Sequence, residues 1–313
     1  MATYRILSLD GGGIRGIFTA RLLERIVAAK PNFLSQVHLF AGTSTGAVLA
    51  IALAKGLTPA ELVGLYRDRG RDIFHDDLLH NIGDLWGLVG ARYSTENRYK
   101  NIYPYIGDIT LNDLLPKHVL VATYQLDSQN PIDPVPPGKP QTWKAKFFHN
   151  YEGPDSDGPQ RAIDVIMRST AAPTYFPIYQ GFIDGGVVAN NPSMCALAQA
   201  INPQVGGKQR LEDVVLMSIG TGMRLRNIKS RDGDWGLKQW GFTIVELLFE
   251  AGIGLADYQC QQLLDDCYIR LNPDLGEDIG LDAVDRIDTL LAKANEFPLD
   301  PVLQWIGRQW DKA

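Results

Sequence analysis

A pattern that occurs twice near the start of the chain constrains the fold most: a short apolar strand, a glycine-rich turn and then a helix. Residues 4–9 form an apolar segment that ends at a run of glycines, and apolar side chains then recur at helical spacing from Gly16 onward. Residues 37–41 and 47–55 repeat this order. Strands that alternate with helices pair in parallel, since each helix carries the chain back across the sheet. The sequence therefore predicts an α/β fold with a mostly parallel central sheet and helices on both faces.

A third helix is marked by its capping residues. Thr58 takes the N-cap position, Pro59 the first helical position and Glu61 the position three residues after the cap, which is the pattern of a capping box. Further along we predict strands at residues 118–124, 144–149, 214–219 and 268–271, helices at residues 161–169, 193–201, 242–264 and 281–295, and a proline-rich surface loop at residues 129–141. The last of these helices is predicted to end the chain.

Residues 76–106 have weak periodicity and scattered aromatic side chains, and two interpretations stay open. The segment is either a partly helical excursion packed on the core or a lid that contacts lipid. Elsewhere the sequence has no internal repeat, low-complexity tract or convincing linker. We therefore predict one domain over residues 1–313, with a helical region at residues 238–313 packed on the rest.

Charge and cysteine content limit the binding partners and the cellular compartment that we expect. The formal net charge is −6, so we expect neither a basic surface for nucleic acid nor a polybasic segment for anionic lipid. Cys195, Cys260 and Cys267 are odd in number and lack metal-site spacing, which favours a reducing compartment over a disulfide framework. No apolar run approaches the ~20 residues that span a bilayer, and the N-terminus lacks the apolar segment of a secretion signal. We expect a cytoplasmic protein, and leave peripheral contact with a membrane surface open.

Residues 42–46 read Gly-Thr-Ser-Thr-Gly and match the G-x-S-x-G motif between a predicted strand and a predicted helix. In that setting a sharp turn lifts the serine hydroxyl above the sheet. The small residues Gly42 and Gly46 allow the backbone segments at the turn to approach each other closely. Ser44 would also lie at a helix N-terminus, where the local field favours developing negative charge. The motif predicts a nucleophile at Ser44; the alternative is a glycine-rich turn that merely contains serine.

The segment Asp-Gly-Gly-Gly-Ile-Arg-Gly at residues 10–16 follows the first strand and also has two interpretations. Three of its glycines fit the G-x-G-x-x-G fingerprint of dinucleotide sites, but such a site needs an acidic residue about 20 positions later. The sequence has no Asp or Glu between Glu24 and Glu61. Dinucleotide binding is therefore disfavoured.

Consecutive glycines can instead point bare N–H groups at an oxyanion, which lowers the barrier to acyl transfer. If the first two strands are neighbours in the sheet, these amides share one crevice with the Ser44 hydroxyl. Arg15 would either add positive charge near a phosphate head group or be an ordinary solvated helix residue. We assign Gly11, Gly12 and Gly13 to an oxyanion hole, with Asp10, Arg15 and Gly16 as supporting residues.

A serine hydroxyl needs a base that removes its proton. His118 and His149 lie at the ends of predicted strands, as ordinary structural histidines do, and no histidine follows them. Asp184 follows an apolar segment and precedes Gly185 and Gly186, so its carboxylate is expected at a strand end where the backbone turns tightly. Because aspartate is a weak base, burial and hydrogen bonding to the serine would have to compensate. The alternative is a common Asp-Gly turn.

The glycine loop, the serine motif and Asp-Gly-Gly at residues 184–186 occur in an order that resembles the patatin-like phospholipase family. The segments Ser-Thr-Ala-Ala-Pro-Thr-Tyr-Phe-Pro at residues 169–177 and Ala-Asn-Asn-Pro at residues 189–192 are similar to that family too, and clear resemblance covers roughly residues 4–222. The resemblance implies a three-layer α/β/α fold. It also implies a Ser–Asp dyad without histidine, Ser44 and Asp184, that hydrolyses acyl esters of lipids.

The expected reaction has two steps and needs no metal or cofactor. Asp184 takes the Ser44 proton as the hydroxyl attacks the ester, the glycine amides hold the oxyanion, and water then releases the fatty acid from an acyl-enzyme. The expected partner is a lipid ester, not nucleic acid or a dinucleotide. Two alternatives stay open: acyl transfer to an alcohol by the same residues, and a lipid-binding module without catalysis.

Overall fold

A central sheet organises the computed structural model, which describes residues 3–74, 91–127, 140–223 and 233–312 and the single positions 132, 134 and 138. Within these residues the strands follow the order β4-β3-β2-β1-β6-β7, and β5 also pairs with β3. Strands β3, β2, β1, β6 and β7 are parallel, whereas β4 and β5 run antiparallel to β3. The predicted α/β class with a mostly parallel sheet is confirmed. The strands are β1 (Tyr4–Leu9), β2 (Leu39–Thr43), β3 (His118–Gln125), β4 (Lys144–His149), β5 (Phe182–Asp184), β6 (Val214–Ile219) and β7 (Tyr268–Leu271).

The short strand β5 continues the line of β2 along one edge of β3. Thr43, the last residue of β2, pairs with Ala122, and Asp184 pairs with the next residue of β3, Thr123. Strand β4 already occupies the other edge of β3 over this stretch. Strand β5 must therefore lie on the β2 edge, directly beyond the end of β2. This pairing brings a residue from late in the chain to the turn that follows Thr43.

Helices cover both faces of the sheet. The described α-helices are α1 (Gly16–Ala29), α2 (Thr45–Lys55), α3 (Pro59–Ile73), α4 (Thr95–Ile106), α5 (Ala162–Ser169), α6 (Gly186–Ala189), α7 (Ser193–Ile201), α8 (Leu237–Leu264), α9 (Ile287–Glu296) and α10 (Asp300–Trp305). The capping box predicted for α3 is present, because the Thr58 side chain accepts from the Glu61 N–H and the Glu61 side chain accepts from the Thr58 N–H. None of the described helices combines the length and apolar character that crossing a membrane requires.

Two apolar cores lie on opposite faces of the sheet. Successive side chains of a strand point to opposite faces, so Leu7 and Leu9 of β1 enter one core while Tyr4 and Ile6 enter the other. Helices α1–α5, α9 and α10 contribute to the first core, and α7 with the end of α8 to the second. This arrangement is the three-layer architecture that the family resemblance implied.

The C-terminal end departs from the predicted order of elements. Residues 281–286 contain no α-helix, and the Leu281 carbonyl instead accepts a hydrogen bond of 2.8 Å from the Ile14 N–H beside the glycine loop. Helix α9 ends before Pro298, which cannot continue it. Helix α10 and a π-helical turn at Ile306–Trp310 follow. The prediction that the helix at residues 281–295 ends the chain was wrong.

The segment at residues 76–106 is helical in its second half, where Ser94 caps α4. Residues 76–90 and most of the predicted loop at residues 129–141 lie outside the described residues. The choice between a packed excursion and a lid therefore stays a prediction.

Candidate active site

The serine motif forms a sharp turn between β2 and α2. Ser44 is the N-cap residue of α2 and has φ 54° and ψ −121°, a strained combination for a residue with a side chain. A Cβ atom on Gly42 would collide with the carbonyl of Gly46, and one on Gly46 would collide with the carbonyl of Leu9. The strained turn expected from the motif is present, and both flanking glycines are required by close backbone packing.

Helix α5 holds the backbone of this turn through Ser169. The Ser44 N–H donates to Ser169 Oγ at 2.9 Å, and the Ser169 hydroxyl donates to the Ala122 carbonyl at 2.7 Å. Ser169 thereby links the nucleophile turn to strand β3. The sequence interpretation placed Ser169 at the end of a predicted helix and in a stretch that resembles the family, and assigned it no function.

Asp184 ends β5 with its carboxylate buried. Its N–H donates to the Ala171 carbonyl at 3.0 Å, and its Oδ1 accepts from the Gly186 N–H at 2.7 Å. Oδ2 is buried and has no hydrogen-bond partner of normal length. Burial raises the pKa of Asp184 to about 6, and the Ser44 hydroxyl, the Gly186 N–H and the Arg98 guanidinium hold that pKa below what burial alone would produce.

The Ser44 hydroxyl therefore lies near the Asp184 carboxylate, although the two do not form a hydrogen bond of normal geometry. Catalytic hydrogen bonds are often long before substrate enters and shorten in the bound complex. Gly185 supports the bend after β5, since a Cβ there would collide with the Ala122 carbonyl.

The glycine loop packs against the same turn. A Cβ atom built on Gly11 would lie 3.3 Å from Ser44 Cβ and would collide with the Asn190 side chain. The Gly11 N–H already donates to the Asn190 carbonyl at 3.0 Å. In the described part of the chain the N–H groups of Gly12 and Gly13 have no hydrogen-bond acceptor. Two of the three assigned amides therefore remain free to bind an oxyanion, and the third does not.

The two charged residues of the glycine loop are buried. Asp10 is 1% exposed, and the Arg270 guanidinium donates to both of its carboxylate oxygens, to Oδ1 at 2.9 Å. Arg15 is 2% exposed, donates to the Gly222 carbonyl at 3.0 Å and lies 3.8 Å from Glu250. The interpretation of Arg15 as a solvated helix residue was wrong. Gly16 begins α1 and packs against the side chains of α2 and α3.

One cavity of about 860 Å³, counted with its open mouth, joins these groups. Ser44, Asp184, Gly12 and Gly13 all lie in its wall. The remaining wall is largely apolar and comes mainly from α2, α3, α4 and the segment after α5. A cavity with few polar groups that converge on one point is the usual form of a binding site for an apolar ligand. Its main apolar side chains are Val48, Leu65, Ile73, Phe74, Ile102 and Phe176.

None of the histidines that the structure describes lines this cavity. The His118 ring stacks on Tyr151 with centroids 4.0 Å apart, and His149 Nε2 lies 3.5 Å from Asp155. His75 and His80 lie outside the described residues. Over the described ranges no group of three His, Cys, Asp or Glu residues is arranged to hold a metal ion.

Two arginines near the site, one buried and one half-buried, were missed by the sequence interpretation. Arg98 of α4 lines the cavity, and Arg270 of β7 holds Asp10. Neither lies in a glycine-rich or otherwise distinctive segment, so the sequence carries no local signal for them.

Comparison with known proteins assigns the chain to a family. The sequence model of the patatin-like phospholipases matches residues 7–197, more than half of the chain. The chain therefore belongs to the patatin-like phospholipase family, and the resemblance seen in the motifs is confirmed. It is a member of a family of lipid hydrolases.

Several individual proteins are similar to this chain. The chain is 28% identical to CotR of Bacillus subtilis (strain 168), which is named as a sporulation hydrolase, with 99% of each chain covered. It is 34% identical to the cGAMP-activated phospholipase of Escherichia coli (strain TW11681), over 69% of this chain and 62% of that protein. Among solved structures, VipD from Legionella pneumophila superposes with a TM-score of 0.44 and 14% identity, covering 99% of this chain and 67% of VipD.

Proposed function

We propose that this protein is a serine acyl-hydrolase of the phospholipase A type, with Ser44 as nucleophile and Asp184 as base. It would cleave fatty-acyl esters of membrane lipids. One observation carries the proposal: a serine in a strained turn shares an apolar cavity with a buried carboxylate that keeps one oxygen unpaired. Membership of the patatin-like phospholipase family supports the same class of reaction.

In the first step Asp184 accepts the Ser44 proton while Oγ attacks the ester carbonyl carbon. The N–H groups of Gly12 and Gly13 stabilise the oxyanion, a contribution on the order of 3 kcal/mol for such donors. The Gly11 amide is left out of this role because it is already paired with Asn190. The ester C–O bond then breaks, and Asp184 returns the proton to the leaving alcohol.

In the second step water enters and attacks the acyl-enzyme. Asp184 removes a proton from this water, and the collapse of the second oxyanion releases the fatty acid and restores the Ser44 hydroxyl. Apart from the ester and the water, every group in the two steps belongs to the chain, so the proposal requires no metal and no cofactor. The apolar wall formed by Leu65, Ile73 and Phe176 would hold the acyl chain.

We also propose that helix α8 makes transient contact with a lipid surface. Phe249 of α8 lines the cavity, so one face of the helix forms part of the cavity wall. The opposite face of α8 carries apolar side chains at helical spacing that are exposed: Ile244 41%, Leu247 45%, Leu248 47%, Leu255 59% and Tyr258 65%. Exposed apolar patches of this kind mark interaction surfaces, and for an enzyme whose substrate lies in a membrane the matching partner is lipid.

The dyad is tested by four single substitutions assayed on a short-chain ester and on phospholipid vesicles. Ser44→Ala and Asp184→Ala are each expected to remove nearly all activity, since each takes one partner from the proton transfer. His118→Ala and His149→Ala are the matched controls, and both are expected to keep most of the activity. Full activity of the Asp184 variant would contradict the dyad.

The same assay separates the two remaining alternatives. Added glycerol or lysolipid is expected to leave free fatty acid as the main product, and conversion of these acceptors into new esters would identify an acyltransferase. A fluorophosphonate is expected to label the wild-type protein at Ser44. An unlabelled wild-type protein would instead indicate a lipid-binding module without catalysis.

A further inference from the structure

Arg98 lies in the wall of the cavity that contains Ser44 and Asp184, and in the two-step reaction its only part is to lower the pKa of Asp184. We propose that Arg98 binds the anionic group of a ligand in this cavity, either the carboxylate of a fatty acid or the phosphate of a lipid head group. The identity of these two anions rests on the proposed hydrolase function. The presence of an anion-binding group rests on the contacts of Arg98 alone.

Arg98 is unlike the other arginines that are buried to the same degree. Arg168 is 2% exposed, and its Nε and Nη2 atoms donate to Gln180 while Nη1 donates to Gln160. Arg15 is also 2% exposed and has protein acceptors of its own. Both guanidinium groups are therefore held by the protein.

Arg98 is 1% exposed, but only its Nη1 atom has an acceptor, the Thr170 carbonyl. Nε and Nη2 are buried without a hydrogen-bond partner, and among the described residues Arg98 forms no ion pair. The Phe176 ring covers the guanidinium, with 4.4 Å between Cζ and the ring centroid. A buried donor without a partner destabilises the folded protein, and more so when it is charged. The protein therefore maintains unpaired donors beside its own cavity.

The arrangement of the unpaired atoms indicates the kind of ligand. Nε and Nη2 belong to one edge of the planar guanidinium, so their N–H groups run parallel. This edge matches the two oxygens of a carboxylate or a phosphate, which arginine binds in a bidentate manner. The Arg98 pKa, lowered by burial to about 9, still leaves the group charged at neutral pH. Both nitrogens are closed to water, so binding through them requires the neighbouring side chains to shift and admit the anion.

The chemistry of the proposed reaction supplies such an anion in two ways. Hydrolysis converts a neutral ester into a carboxylate inside this cavity, and a phospholipid carries a phosphate into it. In either case Arg98 would distinguish an anionic from a neutral ligand of the same chain length. Binding of decanoate, decyl phosphate and decan-1-ol to the Ser44→Ala protein tests this distinction, since the three ligands share one alkyl chain.

With Arg98 present, at least one anion is expected to bind more tightly than decanol. Arg98→Met is expected to weaken binding of that anion by about tenfold or more, the range of a charge-assisted hydrogen bond, and to leave decanol within about twofold. A larger loss for decanoate identifies the carboxylate as the ligand, and a larger loss for decyl phosphate identifies the head-group phosphate. Equal changes for all three ligands, or no change, would overturn the proposal.

Arg168→Met is the matched control, because it removes a buried arginine that has all its partners and does not line the cavity. It is expected to lower stability and to leave the ratio of anion to decanol affinity unchanged. If Arg98→Met does not fold, Arg98→Lys takes its place in the test. Lysine keeps the positive charge but lacks the two parallel N–H donors of the guanidinium edge. An unchanged ratio in Arg98→Lys would contradict binding through Nε and Nη2.

Failure of this proposal is distinguishable from failure of the proposed function. The binding measurements use a protein without the Ser44 hydroxyl and do not require turnover. A wild-type protein that hydrolyses no ester would contradict the hydrolase and leave the binding comparison intact. Unaltered anion binding in Arg98→Met would contradict the Arg98 site and leave the dyad intact.

Discussion

Asp184 has to satisfy two opposing chemical demands. A base must be ionised, whereas burial favours the neutral acid. The resulting pKa of about 6 lies above the ordinary value of 3.8, so the carboxylate is a stronger base than an exposed aspartate. It still lies below neutral pH, so the carboxylate is mostly ionised at pH 7. The Ser44 hydroxyl, the Gly186 N–H and the Arg98 guanidinium each lower the pKa of Asp184 and so help to keep the carboxylate ionised.

The first prediction concerns the pH dependence that follows from Asp184. Because protonation removes the base, kcat/KM for a soluble ester should fall about tenfold per pH unit below the pKa of about 6 and level off above it. The profile is measured from pH 4 to 9 with a short-chain nitrophenyl ester. His118→Ala and His149→Ala should keep the same acid limb. A limb that disappears in either histidine variant would show that an imidazole is the base.

At the scale of elements, the glycine loop depends on strands from the end of the chain. Arg270 of β7 lies outside the matched range of residues 7–197, yet it holds both oxygens of Asp10 and also donates to Ser218 Oγ of β6 at 2.7 Å. On the other side of the loop, the Leu281 carbonyl holds the Ile14 N–H at 2.8 Å. The loop that carries the amides of Gly12 and Gly13 is thus held by contacts from two later segments, β7 and the residues around Leu281.

The second prediction concerns this buried ion pair. Arg270→Met leaves the Asp10 carboxylate buried without its partner, and loss of one member of such a pair typically lowers the free energy of unfolding by roughly 3–5 kcal/mol. The double variant Asp10→Asn, Arg270→Met should lose less, because no uncompensated charge remains. Urea denaturation of the variants measures both effects.

A surface ion pair serves as the control for this experiment. Arg286 is 36% exposed and pairs with Glu277, so Arg286→Met should cost at most about 1 kcal/mol. If Arg270→Met is no more destabilised than Arg286→Met, the buried pair does not support the loop.

At the scale of the whole molecule, α8 lines the cavity through Phe249 and exposes apolar side chains on its opposite face. The third prediction is that the double variant Leu247→Gln, Leu255→Gln loses roughly tenfold or more of its activity on phospholipid vesicles, since two leucines no longer enter the lipid. Activity on a soluble short-chain ester should be unchanged, because neither leucine lines the cavity. Vesicle sedimentation measures binding directly.

Trp143 supplies the matched control for the surface. It is 67% exposed and precedes β4, at the edge of the sheet remote from β7. Trp143→Gln should therefore leave vesicle binding unchanged. Equal losses in Trp143→Gln and in the α8 variant would show that α8 is not a distinct lipid-contacting face.

Features that depend on contacts between residues close in the sequence were predicted more accurately than features that depend on distant residues. The strand, turn and helix around Ser44, the capping box at Thr58 and the limits of β4 and β6 depend on neighbours a few residues away, and they were predicted closely. The end of the chain was predicted less well. Backbone groups near Leu281 bond to the glycine loop rather than to each other, and a local pattern does not record such a distant partner.

The amino-acid sequence by itself determined the α/β class, the strained turn at Ser44 and the family. Each of these depends on short contiguous segments whose residues have distinctive backbone requirements. Only the tertiary structure decided that β5 extends the line of β2 and so carries Asp184 to Ser44. It alone showed that the Gly11 amide is occupied, that Arg270 supports Asp10 and that one edge of Arg98 is unpaired. These features depend on which strands pair and on how far burial excludes water. Both are properties of contacts between residues far apart in the chain.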